Sequence, residues 1–203
     1  ASNGGAFVKE IGAVTVKTRK GEVVVDKDET PFTVDIAKIP TLKPAFGKDG
    51  TVTAASSSSI SDGAAALILA RESTAKTRGL KPLARILAHA SFAQAPEWFT
   101  TAPVGAIQKV LAQVKWSAQD VDLYEINEAF AAVSMAAIKD LGLDHGKVNV
   151  NGGACALGHP VGCTGARIMT TLIYALAARG KKRGIASLCI GGGEATAVAL
   201  ELA

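Results

Sequence analysis

The sequence predicts an α/β fold, a mixed β-sheet covered by helices and closed by a β-hairpin. Three observations carry this. From Lys81 onward, stretches with helical spacing alternate with short apolar runs. Gly142 and Gly180 stand where two of those helices should stop. Two strand-like runs at the end, 184–190 and 195–202, are separated by Gly-Gly-Gly-Glu, a hairpin-type connection.

Val14 and Val16, then Val23, Val24 and Val25, suggest short strands around a Lys20-Gly21 turn. Pro31, Pro40 and Pro44 punctuate a loop after them. This leading piece has weak core potential and is expected to pack on another element. Ser56 to Ser59 form a serine run, read either as a linker or as a loop that shapes a pocket. The apolar stretch 64–70 that follows is expected to be a buried strand. A strand is expected over 82–92. Ala106, Ile107, Val110, Leu111 and Val114 are spaced for a helix over 102–114. A strand over 121–126, a helix over 128–141 and a short strand over 148–150 follow. Ile168, Met169, Leu172, Ile173 and Leu176 form the apolar stripe of a helix over 162–179.

Composition narrows the class. The chain has 203 residues, 48% of them hydrophobic, which is enough for a real core. No run approaches the roughly 18 apolar residues of a membrane span, so no membrane partner is expected. No signal peptide is visible, and the start at Ala1 without Met is expected of an internal stretch or a processed end. Net charge is a mild +4. Lys181, Lys182 and Arg183 are the only basic cluster and lack an aromatic stacking platform, so no nucleic-acid partner is expected. The three cysteines, Cys155, Cys163 and Cys189, are too few for a disulfide scaffold. They imply a reducing compartment, the cytoplasm or one such as a mitochondrial matrix.

Three segments carry chemistry: Asn127-Glu128-Ala129-Phe130, the glycine-dense stretch 149–167, and Cys189-Ile190-Gly191-Gly192-Gly193. His159 sits between Gly158 and Pro160, just ahead of a helix start. Glycines let backbone approach a ligand closely, and helix N-termini favour anions. A histidine so placed suits proton transfer better than a structural role. His89 and His145 lack that setting. Cys189 ends an apolar strand before three glycines, and reads either as an inert buried thiol or as a reactive one beside oxyanion-donating amides. Asn127 reads first as a helix N-cap, and alternatively as a side chain aimed at a ligand or a water. Cys155, His159, Cys163 and Cys189 together also have the chemistry of a closed zinc site, although the spacing is unusual for one.

These motifs, in this order, resemble the thiolase family. Gly50-Thr51-Val52-Thr53-Ala54-Ala55 and Ser61-Asp62-Gly63-Ala64-Ala65-Ala66 add to the likeness, which covers nearly the whole chain. The resemblance implies that residues 76–203 form the C-terminal half of the thiolase fold. Residues 1–75 would be the end of its loop domain and the last piece of its N-terminal half. It also implies acyl transfer between thioesters in two steps, of the acetyl-CoA C-acetyltransferase kind.

On that resemblance His159 deprotonates a nucleophilic cysteine and later donates to a thioester oxygen, with a water held on Asn127. Cys189 moves a proton on and off the α-carbon of acetyl-CoA or the thiol of CoA. A thiol suits that task because its pKa can be tuned close to working pH. The Gly191 N–H is one donor of the other oxyanion hole. Phe46, Ala54, Ser58, Ala129 and Phe130 fall where the family binds CoA. Many members carry Asn within the stretch that here reads Ser56 to Ser59, and again at Ser61. The family's nucleophilic cysteine has no counterpart among the three present, so the chain is expected to lack it and to be an inactive fragment alone. No cofactor or metal is implied beyond CoA thioesters as substrates. The implied partners are acyl-CoA, CoA, the missing N-terminal half, and further copies in a dimer or tetramer. The alternatives are a non-catalytic CoA-binding or assembly module of the same fold, and the zinc-binding domain.

Overall fold

A computed structural model describes residues 1–203. Its organising element is a four-stranded mixed sheet. The strands are β3 (Ala84–Ala93), β4 (Leu123–Ile126), β5 (Arg183–Ile190) and β6 (Glu194–Leu202), in the order β3-β6-β5-β4; β1 and β2 belong to the leading piece described below. β5 and β6 form the expected closing hairpin, and β3 adds antiparallel to β6. β4 lies parallel to β5, with Ile126 opposite Ser187. β4 is buried at every position, so its run is apolar without alternation except for Glu125.

Two apolar clusters cover the sheet. Helix α3 (Ala102–Val114) buries Ala106, Ile107, Val110 and Leu111 in the larger cluster, together with Val133 and Ala137 of α4 (Ala131–Leu141). Helix α6 (Thr164–Ala178) buries Ile168, Leu172 and Leu176 in the smaller one, against Leu123, Ala186 and Leu200. The stripe read from the sequence is the one that packs. Glycine permits the closest contact here, since a Cβ on Gly184 would come within 2.9 Å of the Leu172 side chain.

The leading piece is different. β1 (Val14–Thr18) and β2 (Gly21–Val25) pair as expected, but every residue of both strands is exposed. Short helices α1 (Thr30–Thr33) and α2 (Glu72–Thr77) follow, with 3-10 turns at Ile36–Thr41 and Ala54–Ser56. α2 escapes a pattern reading because it buries only Ala75. The stretch 64–70, expected to be a buried strand, has no regular structure, and Ile68 is 95% exposed. No strand pairs with it, although Ala65 and Leu67 are half-buried, and apolar composition alone cannot form a strand without a neighbour.

Two further expectations are corrected. The helix expected from Glu128 begins at Ala131, because residues 57–58 pair with the extended segment at Ala129 and Phe130. The strand expected over 148–150 reduces to one bridge between Val148 and Tyr124. Asn149 then takes φ +47, which ends it.

Candidate active site

The site assembles where β4 and β5 end side by side. Asn127 follows β4, and its N–H donates to the Ser187 carbonyl of β5 at 2.9 Å. Cys189 lies two residues further along β5. Strand ends at this edge of a parallel pair are where open α/β sheets place functional groups. Asn127 is not a helix cap, since Phe130 holds that position. Its side chain is 1% exposed and turned to His159, with Nδ2 at 3.3 Å from the imidazole Nε2.

His159 is fixed from three sides. Its N–H donates to the Ser59 carbonyl at 3.0 Å, and Ile60 forms a parallel bridge beside it. Its Nδ1 lies 2.7 Å from Thr164 Oγ1. That hydroxyl has one proton, which it donates to the Pro160 carbonyl at 3.0 Å. The hydroxyl oxygen therefore accepts from Nδ1–H, and Nε2 is left as the basic nitrogen, receiving the Asn127 amide. Burial, with a smaller effect from the Arg167 guanidinium, holds the imidazole pKa below the ordinary value. A neutral imidazole with an unprotonated Nε2 is a general base once it exchanges the Asn127 amide for a substrate proton. Asn127 Oδ1 is buried and has no partner within the protein.

The serine run is a strap rather than a slack linker. Ser58 donates from both its N–H and its hydroxyl to the Ala129 carbonyl, at 3.1 and 3.0 Å. Ser57 bridges to Phe130, and Ser59 reaches His159. The run thus ties the Asn127 segment to the histidine loop. Of the residues implied for CoA, Ser58, Ala129 and Phe130 meet directly in this way. Ala54 opens the 3-10 turn just before the strap, and Phe46 stands 79% exposed further out.

Cys189 is set in apolar surroundings. It is 7% exposed, belongs to the larger apolar cluster and makes no side-chain hydrogen bond to another residue. Burial pushes its pKa up. No hydrogen bond joins it to the Asn127–His159 pair. Gly191 lies in the exposed β5–β6 turn, with open space where a Cβ would be. Its neighbour Gly193 has φ +101 and lies hard against the Gln94 carbonyl and Pro96.

The four residues of the zinc alternative are not gathered as ligands. No group of three or more His, Cys, Asp or Glu side chains gathers closely enough to hold an ion. Cys155 Sγ instead faces the Glu128 carbonyl at 3.9 Å, and burial with the nearby Glu128 carboxylate pushes its thiol up to about 12. All three cysteines are free.

Two groups escape the sequence reading. Glu125, on β4, is 2% exposed, with Oε2 at 3.7 Å from Arg167, and burial raises its carboxyl to about 8. A charged residue amid a buried strand is the available signal. Glu128 stands out in the sequence only as part of a motif. Its carboxylate takes Asn149 Nδ2 at 2.9 Å and the Cys155 N–H at 3.2 Å.

The model of the family "Thiolase, C-terminal domain" matches residues 80–202, and that of "Thiolase, N-terminal domain" matches residues 1–73. The acetyl-CoA acetyltransferases of Paracoccus denitrificans and Escherichia coli (strain K12) are 47% and 50% identical over 202 residues. Each alignment takes in 99% of this chain but only 52% and 51% of the relative. The crystal structure of Bacillus anthracis acetyl-CoA acetyltransferase superposes with a TM-score of 0.96 at 49% identity, over 100% of this chain and 52% of that one. A thiolase from Ascaris suum, solved in complex with coenzyme A, gives 0.88 at 40% identity, over 100% and 52%. The chain spans about half the length of the curated relatives it matches.

Proposed function

The chain belongs to the thiolase family, and from that premise we propose that it supplies the histidine, asparagine and second-cysteine part of an acetyl-CoA C-acetyltransferase site. The observation that carries this reading is the Asn127–His159 pair at 3.3 Å, formed by two of the family's motif segments. The substrates are acetyl-CoA and acetoacetyl-CoA, or longer 3-ketoacyl-CoA thioesters.

In this reading the nucleophilic cysteine comes from the part of the relatives' length that this chain does not span. His159 Nε2 takes that cysteine's proton. The thiolate attacks the thioester carbonyl, a new C–S bond forms, and the bond to CoA breaks as the CoA sulfur gains a proton. Cys189 then takes a proton from the α-carbon of a second acetyl-CoA. The carbanion attacks the acyl-enzyme, and the nucleophilic cysteine leaves as thiolate. Splitting one hard displacement into two acyl transfers is the benefit of covalent catalysis. The Asn127 amide, with its unpartnered Oδ1, suits the water that would help His159 stabilise the thioester oxygen. The Gly191 N–H serves the other oxyanion.

Phe46, Ala54, Ser58, Ala129 and Phe130 are proposed to bind the CoA arm. Three free thiols fit the proposed reducing compartment, the cytoplasm or an organelle matrix. A dimer or tetramer is the proposed assembly.

The test uses radiolabelled acetyl-CoA and a denaturing gel. This chain alone is expected to stay unlabelled, and a covalently labelled 20.7 kDa band would overturn the missing-nucleophile reading. Co-expression with the leading half of a close relative is expected to yield thiolysis of acetoacetyl-CoA that disappears in His159→Ala. Binding of CoA to that pair with no turnover would favour the non-catalytic module instead.

A further inference from the structure

Asn149 and Glu128 take no part in the chemistry above, yet they form the most completely satisfied side-chain cluster beside it. Asn149 presents its side-chain amide to the outer edge of β4. Its Oδ1 accepts from the Ile126 N–H at 2.8 Å and its Nδ2 donates to the Ile126 carbonyl at 2.8 Å. The side chain thus imitates one residue of a neighbouring strand, next to Asn127. The second Nδ2 proton goes to Glu128 Oε1 at 2.9 Å. Glu128 Oε2 accepts the Cys155 N–H at 3.2 Å, in the one-turn helix α5 (Ala154–Leu157) that leads into Gly158 and His159. Gly153 fits under that carboxylate only because it has no Cβ.

The two residues therefore connect both ends of the proposed proton-transfer pair. One end of the clamp holds the strand terminus that carries Asn127. The other holds the loop that carries His159. The left-handed backbone of Asn149, at φ +47, aims its amide at Ile126, and asparagine tolerates that conformation better than most residues.

We infer that Asn149 and Glu128 are positioning residues that set the separation and alignment of Asn127 and His159. The inference rests on the reading of that pair as catalytic. The test reads the imidazole rather than turnover, so the two can fail separately.

The experiment titrates His159 by NMR in this chain, wild type and variants, with far-UV circular dichroism to check the fold. Glu128→Gln keeps the shape but replaces one acceptor oxygen with an NH2 that cannot take both donors. Removing a negative charge would by itself lower the imidazole pKa. Release of the clamp admits water and raises it toward the ordinary 6.5. We expect the rise, with a change in the Nε2 resonance as the Asn127 contact loosens. Asn149→Asp opposes two carboxylates and is expected to give a larger rise. In the double variant the amide introduced at position 128 can donate to the carboxylate introduced at position 149, while its oxygen accepts from Cys155. The Ile126 carbonyl still lacks the donor that Asn149 Nδ2 supplied, so the titration should return only part of the way to wild type. An unchanged or lowered pKa in folded E128Q, or a double variant that adds the two single effects, overturns the inference. If N149D does not fold, E128Q and the double variant still decide.

Discussion

Thr164 Oγ1 accepts from His159 Nδ1 at 2.7 Å while donating to the Pro160 carbonyl at 3.0 Å, so a buried hydroxyl decides which imidazole nitrogen is basic. Thr164→Val keeps the shape and removes both bonds. The Pro160 carbonyl keeps the Cys163 and Thr164 amides. Nδ1–H is the group left without a partner, at a cost of about 1–3 kcal/mol. We expect a lower melting temperature and a mixture of tautomers in the imidazole nitrogen spectrum. Thr164→Ser should restore the single tautomer. A sharp Nδ1–H spectrum in the valine variant would show that the hydroxyl does not set it.

Glu125 gives the fold a pH dependence of defined sign. Desolvation raises its carboxyl from 4.5 to about 8, with Arg167 opposing and Glu10 and Glu128 adding to the rise. The folded chain thus binds a proton that the unfolded chain has released between these values. The stabilisation is complete below 4.5 and is lost as pH rises through about 8. His159 acts lower on the scale. Its depressed pKa means that the unfolded state binds the extra proton, so its contribution is lost as pH falls below 6.5. Urea midpoints measured across the range from mildly acidic to mildly alkaline should fall toward the alkaline end. In Glu125→Gln that decline should flatten, and an unchanged slope would assign it elsewhere.

The strap offers a local test. Ser58→Ala deletes the hydroxyl bond to Ala129 but leaves the amide bond in place. A single bond of this kind contributes about 1 kcal/mol. Amide exchange at Ser58 and His159 should quicken about fivefold, while amides in α3 keep their rates. Uniform quickening across the chain would mean that the strap is not a separate unit.

How far the sequence reveals this arrangement depends on where the packing partner lies. Helix 102–114 is legible to the residue, because its stripe packs on a sheet the same chain supplies. The hairpin and the α6 stripe are legible for the same reason. The stretch 64–70 reads as buried, and is not, because apolar composition alone does not tell whether a neighbouring strand lies beside it. The start of α4 is displaced from its sequence position because Ser57 and Ser58, distant in sequence, hold Ala129 and Phe130 extended. His159 and Asn127 emerge from motif and glycine context, and their side chains meet. The raised pKa of Cys189 is not legible, since it follows from burial among residues of several different elements.

That burial leads to a last prediction. Desolvation raises the pKa of Cys155, Cys163 and Cys189, Cys155 to about 12, with the Glu128 carboxylate adding to the effect there. Only the thiolate attacks an alkylating agent, so no site should react rapidly at neutral pH. Iodoacetamide labelling followed by peptide mass analysis should be slow at all three. The Cys189 rate should keep climbing past the ordinary thiol value of 9.0, where an unperturbed cysteine begins to level off. Fast labelling of Cys189 at neutral pH would mean that its thiol is already ionised there. It would then be too weak a base to take a proton from a carbon acid, and the proton-transfer role proposed for it would have to pass to another group.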